Sequence, residues 1–212
     1  MFRYKNIIWD WNGTLLNDVD VCVDAMNILL KNRNMHQLSR KEYKKVFTFP
    51  VKEYYKAVGF DFNKEKFEKP AIEFIDNYNN LCYNVKLYKG VTELLKKIDN
   101  INIEQYILSA MEHKSLIKMV DSFGISSFFK KISGIDNYYA QSKIEQGKQL
   151  ISDLNLDKKK TVIIGDTVHD AEVADILGVD CILVAHGHQS YERLAECGNF
   201  VIDSLKELDN FI

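Results

Sequence analysis

The sequence predicts an α/β fold, a doubly wound parallel sheet that carries a small all-helical domain. Two observations predict it. Apolar runs of strand length alternate with amphipathic helical patterns, which gives a mainly parallel sheet covered on both faces. That alternation lapses once, over residues 17–85, where only helical patterns appear.

The first strand is Asn6–Trp9. Its run Ile7-Ile8-Trp9 is apolar on both faces and stops at Asp10. Asn12-Gly13 then turns the chain, since glycine accepts backbone angles other residues resist. Further strands are expected over Glu104–Leu108, Lys130–Ser133, Thr161–Ile164, Cys181–Val184 and Phe200–Ile202. Between them, Thr92–Ile98, Lys114–Phe123, Ile144–Leu154 and Ala171–Leu177 place apolar residues at helical spacing. Within 17–85, Val19, Val23, Met26 and Leu30 form one helical stripe, with Asp18 as its N-cap. Ser39 to Glu42 fits a capping box that opens a second helix. A third follows Pro50 over Lys52–Val58, and a fourth covers Lys64–Cys82, kinked or restarted at Pro70. The expected division is a core of residues 1–16 and 86–212 and a helical cap of 17–85.

Bulk properties exclude several classes. The chain has 212 residues, 28 basic against 30 acidic, for a net charge of −2. No basic field points to nucleic acid or an anionic membrane. No apolar run approaches the roughly 18 residues of a membrane span. Asp10 interrupts the stretch that would serve as a signal-peptide core, so the expected compartment is the cytoplasm. Cys22, Cys82, Cys181 and Cys197 show no metal-ligand spacing and read as reduced thiols.

Polar groups gather at predicted strand ends: Asp10 after the first, Ser109 after Tyr106-Ile107-Leu108, and Asp166 and Asp170 after Val162-Ile163-Ile164. Lys143 stands before a helix. In a doubly wound sheet these ends converge on one crevice. Asp10, Asp166 and Asp170 are hard oxygen ligands that suit Mg²⁺. Lys143 and the cation would offset a phosphate's charge. Ser109, with neighbouring groups at Ala110, Gly13 and Thr14, would hold its oxygens. Asp10 would attack phosphorus to give an aspartyl-phosphate.

Asp10-Trp11-Asn12-Gly13-Thr14-Leu15, Ser109, Lys143 and Gly165-Asp166 with Asp170, in this order, resemble the haloacid dehalogenase superfamily. The helical segment after the first motif, and Tyr88-Lys89-Gly90-Val91 on the return, resemble its phosphoglycolate phosphatase branch. The resemblance implies a Rossmann-like core with a helical cap. It implies Asp10 as nucleophile and Mg²⁺ ligand, the Asn12 carbonyl and Asp166 as further ligands, and Asp170 holding the metal or its water. It implies that Ser109 and Lys143 bind the phosphoryl group and that Lys143 steadies Asp10.

One position departs from that pattern. Phosphatases of the superfamily carry Asp two residues after the nucleophile, where it protonates the leaving oxygen and then activates water. This chain has Asn12, which cannot shuttle a proton. A general acid–base contributes about 10²–10⁴-fold. Among the histidines that follow predicted strands, His169 and His188 rank above His113 and His186 as replacements. The expected function is Mg²⁺-dependent hydrolysis of a small phosphate monoester, with phosphoglycolate as the prior and a monomer or dimer as the assembly. Two alternatives stand beside it. One is a catalytically weak protein that binds a phosphorylated metabolite or a protein partner. The other is a phosphonate or carbon–halide hydrolase, the former needing a lysine such as Lys52 or Lys56 for a Schiff base.

Overall fold

The computed structural model describes residues 3–135 and 141–210. Strand β1 (Asn6–Trp9) leads to β2 (Leu16–Asn17), and four helices follow: α1 (Val19–Asn32), α2 (Arg40–Val46), α3 (Val51–Ala57) and α4 (Glu68–Leu81). The chain returns through β3 (Lys86–Leu87). It then alternates α5 (Val91–Asn100), β4 (Glu104–Glu112), α6 (His113–Ser122), β5 (Lys131–Ile135), α7 (Gln141–Asp153), β6 (Thr161–Gly165), α8 (Val168–Leu177) and β7 (Asp180–Val184). Helix α9 (Tyr191–Ala195) and β8 (Phe200–Ile202) follow, and a 3-10 helix over Leu205–Asn210 comes last among the described residues.

Six strands form one sheet in the order β5-β4-β1-β6-β7-β8, and every pairing is parallel. From β1 the chain builds outward through β4 to β5, then crosses back to place β6 on the other side of β1. The order therefore reverses at β1, and the crevice above its carboxyl end is where such sheets bind ligands.

Central parallel strands are apolar on both faces because both are covered. Ile7, Trp9, Ile107 and Ile164 pack with Leu95 and Leu116 on one face. Ile8, Tyr106 and Ile163 pack with Leu150, Val173 and Leu177 on the other. Two polar side chains in the sheet are satisfied. Trp9 Nε1 donates to Gln105 Oε1 at 3.2 Å, and Gln105 Nε2 donates to the Leu95 carbonyl at 2.9 Å.

The helices between β2 and β3 enclose a cluster of their own, with Met26, Leu30, Tyr43, Tyr54 and Tyr78 buried together. The Ser39–Glu42 capping box is present, and such caps contribute about 1 kcal/mol. The two ends of this segment leave the core side by side, since β2 and β3 pair antiparallel.

Three local expectations need adjustment. Strand β4 runs to Glu112, with a register shift against β5 after Leu108. The fourth helix begins at Glu68 rather than Lys64, so Pro70 marks its start rather than a kink and lies in the first turn of α4, where the missing N–H has no partner to lose. Asp18 precedes α1 but its side chain makes no cap bond; its carboxylate is spent elsewhere. No helix of the described residues is long and apolar enough to cross a membrane, and all four cysteines are free.

Candidate active site

Asp10 follows β1 and Asp166 follows β6, and the Trp9–Ile164 pairing sets them side by side. The Asp10 N–H donates to the Ile164 carbonyl at 2.8 Å. Asp170 enters from the first turn of α8, where its carboxylate completes a capping box with Thr167. It accepts from the Thr167 N–H at 3.0 Å and hydroxyl at 2.7 Å. Carboxylate oxygens of Asp10, Asp166 and Asp170 lie within 4.8 Å of one another, and all three residues are buried.

Lys143, from α7, reaches into this group. Its Nζ lies 2.5 Å from Asp10 Oδ1 and 2.6 Å from Asp170 Oδ1. The residue is 3% exposed. Lys148, one turn on, pairs with Glu145 at the surface. Burial drives the Asp10 carboxyl up, to about 8, against the pull of Lys143. Burial likewise raises Asp166 to about 6. Burial also acts on Asp170, but Lys143 and the Thr167 bonds outweigh it and hold that carboxyl below its ordinary value. Burial opposes the charge of Lys143, and the two carboxylates overcome it and raise its pKa.

Three buried carboxylates thus face one ammonium. That excess of hard oxygen donors is a donor set a divalent cation fits, and a cation would offset the burial, and the lesser mutual repulsion, that raise Asp10 and Asp166.

Thr14 belongs to the same cluster, its hydroxyl 3.0 Å from Asp166 Oδ1 and 3.4 Å from Asp10 Oδ2. Gly13 adopts φ +73°, and its N–H is engaged by Leu16 O and Asp18 Oδ1. A Cβ at Gly13 or Gly187 would overlap the Asp166 carboxylate, so both glycines let the backbone close around it. Ser109 is buried in β4, two residues past the Ile107 that pairs with Trp9. Its hydroxyl accepts from the Met111 N–H at 3.1 Å. Ala110 is half-buried beside it.

The Asn12 side chain is bonded outside the carboxylate trio. Its Nδ2 donates to Asp18 Oδ2 at 2.7 Å, and lies 3.0 Å from the Tyr78 hydroxyl of α4. Asp18 also accepts from the Tyr78 hydroxyl at 2.9 Å and pairs with His188 Nε2 at 3.3 Å. His188 Nδ1 meets the Tyr43 hydroxyl at 2.9 Å, and its backbone N–H donates to Asp166 Oδ2 at 2.5 Å. Burial disfavours charge on His188, but Asp18 overrides it and raises the imidazole to about 9.

The other crevice histidines are also engaged. His113 Nδ1 accepts from the Gly134 N–H. His186 stacks on Tyr88 and donates from Nε2 to the Thr14 carbonyl at 3.1 Å. His169 Nδ1 pairs with Glu172. Its Nε2 is a buried polar atom with no partner among the described residues, and its ring packs on Phe49 from the helical segment.

A family model for haloacid dehalogenase-like hydrolases matches residues 7–184. The chain belongs to that family. It is 25% identical over 202 residues to a 5'-nucleotidase of Pseudomonas aeruginosa, covering 91% of this chain and 87% of that protein. It is 23% identical over 190 residues to a phosphoglycolate phosphatase of Caulobacter vibrioides, covering 86% of this chain and 79% of the relative. A haloacid dehalogenase-like hydrolase from Streptococcus pneumoniae shares the fold, with a TM-score of 0.85 at 19% identity and 99% of each chain covered. The resemblance drawn from the four motifs therefore holds, and the protein is a hydrolase of this family.

The motif residues Asp10, Lys143, Asp166 and Asp170 meet in space. Asp18, Tyr43 and Tyr78 were not legible as part of the site. A buried aspartate before a helix looks like an N-cap in sequence, and two tyrosines among aromatic helix residues look like core.

Proposed function

We propose that this chain is a Mg²⁺-dependent phosphohydrolase that moves the phosphoryl group of a small monoester onto Asp10 and then to water. The observation that carries this reading is the buried Asp10–Lys143–Asp170 bridge beside Asp166, set at the sheet's switch point. The relatives named as a 5'-nucleotidase and a phosphoglycolate phosphatase support it. Asp10, Asp166 and Asp170, with the Asn12 carbonyl, would hold Mg²⁺, which supplies positive charge against the phosphoryl oxygens.

The chain's own residues supply the rest. Lys143 holds the Asp10 carboxylate in one rotamer and places its ammonium where phosphoryl charge develops. Ser109, at the neighbouring strand end, is the side-chain donor for a phosphoryl oxygen. Asp10 forms the bond to phosphorus as the bond to the leaving oxygen breaks. The helices of residues 17–85 act as a cap that covers the crevice and excludes water. They meet the core through Lys44 Nζ on the Ala185 carbonyl at 2.8 Å and Arg193 Nη1 on the Phe47 carbonyl at 2.7 Å.

Asn12 narrows the substrate class. Its amide is bound to Asp18 and cannot protonate a departing alkoxide. Leaving groups that depart as stable anions suit this site better than alkyl alcohols. The two relatives act on different esters by name, so neither names this chain's substrate. The phosphonate alternative finds no support in the cap lysines. Lys52 lies exposed over Phe62, and Lys56 is exposed and paired with Glu53.

The test is steady-state hydrolysis of p-nitrophenyl phosphate and phosphoglycolate with and without Mg²⁺, for native protein and Asp10→Asn. Mg²⁺-dependent turnover of the aryl ester that Asp10→Asn abolishes is the expected result. Binding of phosphate without turnover would favour the ligand-binding alternative.

A further inference from the structure

Asp18 and His188 lie outside the carboxylate trio, yet they are among the most thoroughly bonded polar side chains here. Asp18 is 0% and His188 4% exposed. Their bonds run in two directions. Toward the site, Asp18 takes the Gly13 N–H at 2.8 Å and the Asn12 amide at 2.7 Å, while His188 gives its backbone N–H to Asp166. Toward the helical segment, Asp18 takes the Tyr78 hydroxyl of α4, and His188 Nδ1 meets the Tyr43 hydroxyl of α2. The pair itself closes the circuit at 3.3 Å.

This arrangement reads as a brace rather than a second ligand set. Cys22 Sγ lies 3.8 Å from Asp18, and the Asp18 and His188 polar atoms are already taken. The brace touches the site at its tightest point. The backbone at Gly13 and Gly187 packs so closely on Asp166 that neither tolerates a Cβ. A shift of a few tenths of an ångström at residues 187–188 must move the Asp166 carboxylate or break its bond to His188.

We propose that Asp18 and His188 are positioning residues that let the seating of the helical segment, felt through Tyr43 and Tyr78, set the geometry of Asp166 and the Asn12–Gly13 turn. The inference rests on the reading of Asp166 as a metal ligand. With the segment seated, both tyrosine hydroxyls hold the pair, and the pair holds the ligand and the turn. With the segment lifted, the pair loses both hydroxyls. Cation affinity then depends on whether the cap is down, although neither tyrosine belongs to the ligand set.

Mn²⁺ binding to the full chain, followed by electron paramagnetic resonance, tests this without turnover. The variants are Asp18→Asn, His188→Gln, Tyr43→Phe and Tyr78→Phe, each checked for a native melting transition. Loss of partners that orient a ligand typically costs about 10–100-fold in metal affinity. Asp18→Asn and His188→Gln are expected in that range. Tyr43→Phe is expected to weaken binding about threefold or more, and to add nothing in the His188→Gln background, because residues on one network are non-additive. Should Asp18→Asn or His188→Gln fail to fold, the tyrosine variants decide the matter. Folded variants that bind Mn²⁺ within about twofold of the native protein, or tyrosine and histidine effects that simply add, overturn the inference. A native protein that binds no Mn²⁺ overturns the metal reading itself, and this inference with it.

Discussion

Asn12 donates its side-chain amide to Asp18, 2.7 Å away. Position 12 is thus a half-buried donor matched to a buried acceptor, and restoring a carboxylate there is not a simple repair. In Asn12→Asp two carboxylates would face each other within a buried network, and one must keep a proton or move. Asn12→Asp is expected to lower stability by about 1–3 kcal/mol, the cost of a buried partner left unsatisfied. It is expected to raise turnover of alkyl phosphates by less than about tenfold, short of what a free acid–base supplies. Adding Asp18→Asn should recover part of the lost stability. Urea midpoints of the two single variants and the double variant check this, and a double variant no more stable than Asn12→Asp refutes it.

Much of the fold was legible because its signals are local. Asn6–Trp9 and Phe200–Ile202 match their expected bounds, and the Ser39–Glu42 box caps α2 as read. The motif carboxylates were legible because each ends a strand or opens a helix, and topology does the rest. Asp18 and Tyr78 were not. They meet across 60 residues of chain, and nothing in either neighbourhood tells a buried hydrogen-bonding tyrosine from one packed for its ring. Its place after a strand makes His188 a candidate proton donor in the sequence. Its partners are Asp18, at the junction before α1, and Tyr43 of α2, and only the packed structure shows both ring nitrogens engaged.

The engaged amide of Asn12 bears on which step limits the reaction. Attack by Asp10 needs no acid when the leaving group is an aryl oxide, but hydrolysis of the aspartyl-phosphate needs a base for every substrate. Dephosphorylation should therefore be the slow step. Rapid mixing with p-nitrophenyl phosphate should give a burst of p-nitrophenol close to one equivalent per site. Aryl phosphates of different leaving ability should then share one kcat. A linear time course from the first turnover, with kcat following leaving-group pKa, would place the slow step at attack instead.

Lys143 separates cation binding from phosphoryl stabilisation. Its ammonium is buried between Asp10 and Asp170, so Lys143→Met leaves two buried carboxylates without their counter-charge. Breaking such a pair costs about 3–5 kcal/mol, and Mg²⁺ should restore part of it by occupying the same field. Turnover should fall by about 10²–10³-fold, the scale of one lost group that stabilises the transition state. Mn²⁺ affinity should hold or rise, because a competing positive charge has gone. Isothermal titration beside steady-state kinetics separates these effects; a parallel loss of cation binding and rate would contradict the assignment.

His186 should give the fold an acid-sensitive element. Burial against Tyr88 lowers its imidazole from 6.5 to about 4. The unfolded chain then binds the proton more readily than the folded one between those values. Stability from the neutral ring is complete above about pH 6.5 and drains away as pH falls toward 4, by roughly 3 kcal/mol in all. His186→Phe keeps the stacked ring but takes no proton, and it gives up the bond to the Thr14 carbonyl. At pH 8 that variant should be less stable than the native protein by about 1 kcal/mol. As pH drops below 6 the gap should close and then reverse. Chemical denaturation of both proteins from pH 8 to pH 4.5 measures the difference directly, and a gap that stays constant over that range would show that His186 titrates as an ordinary surface histidine.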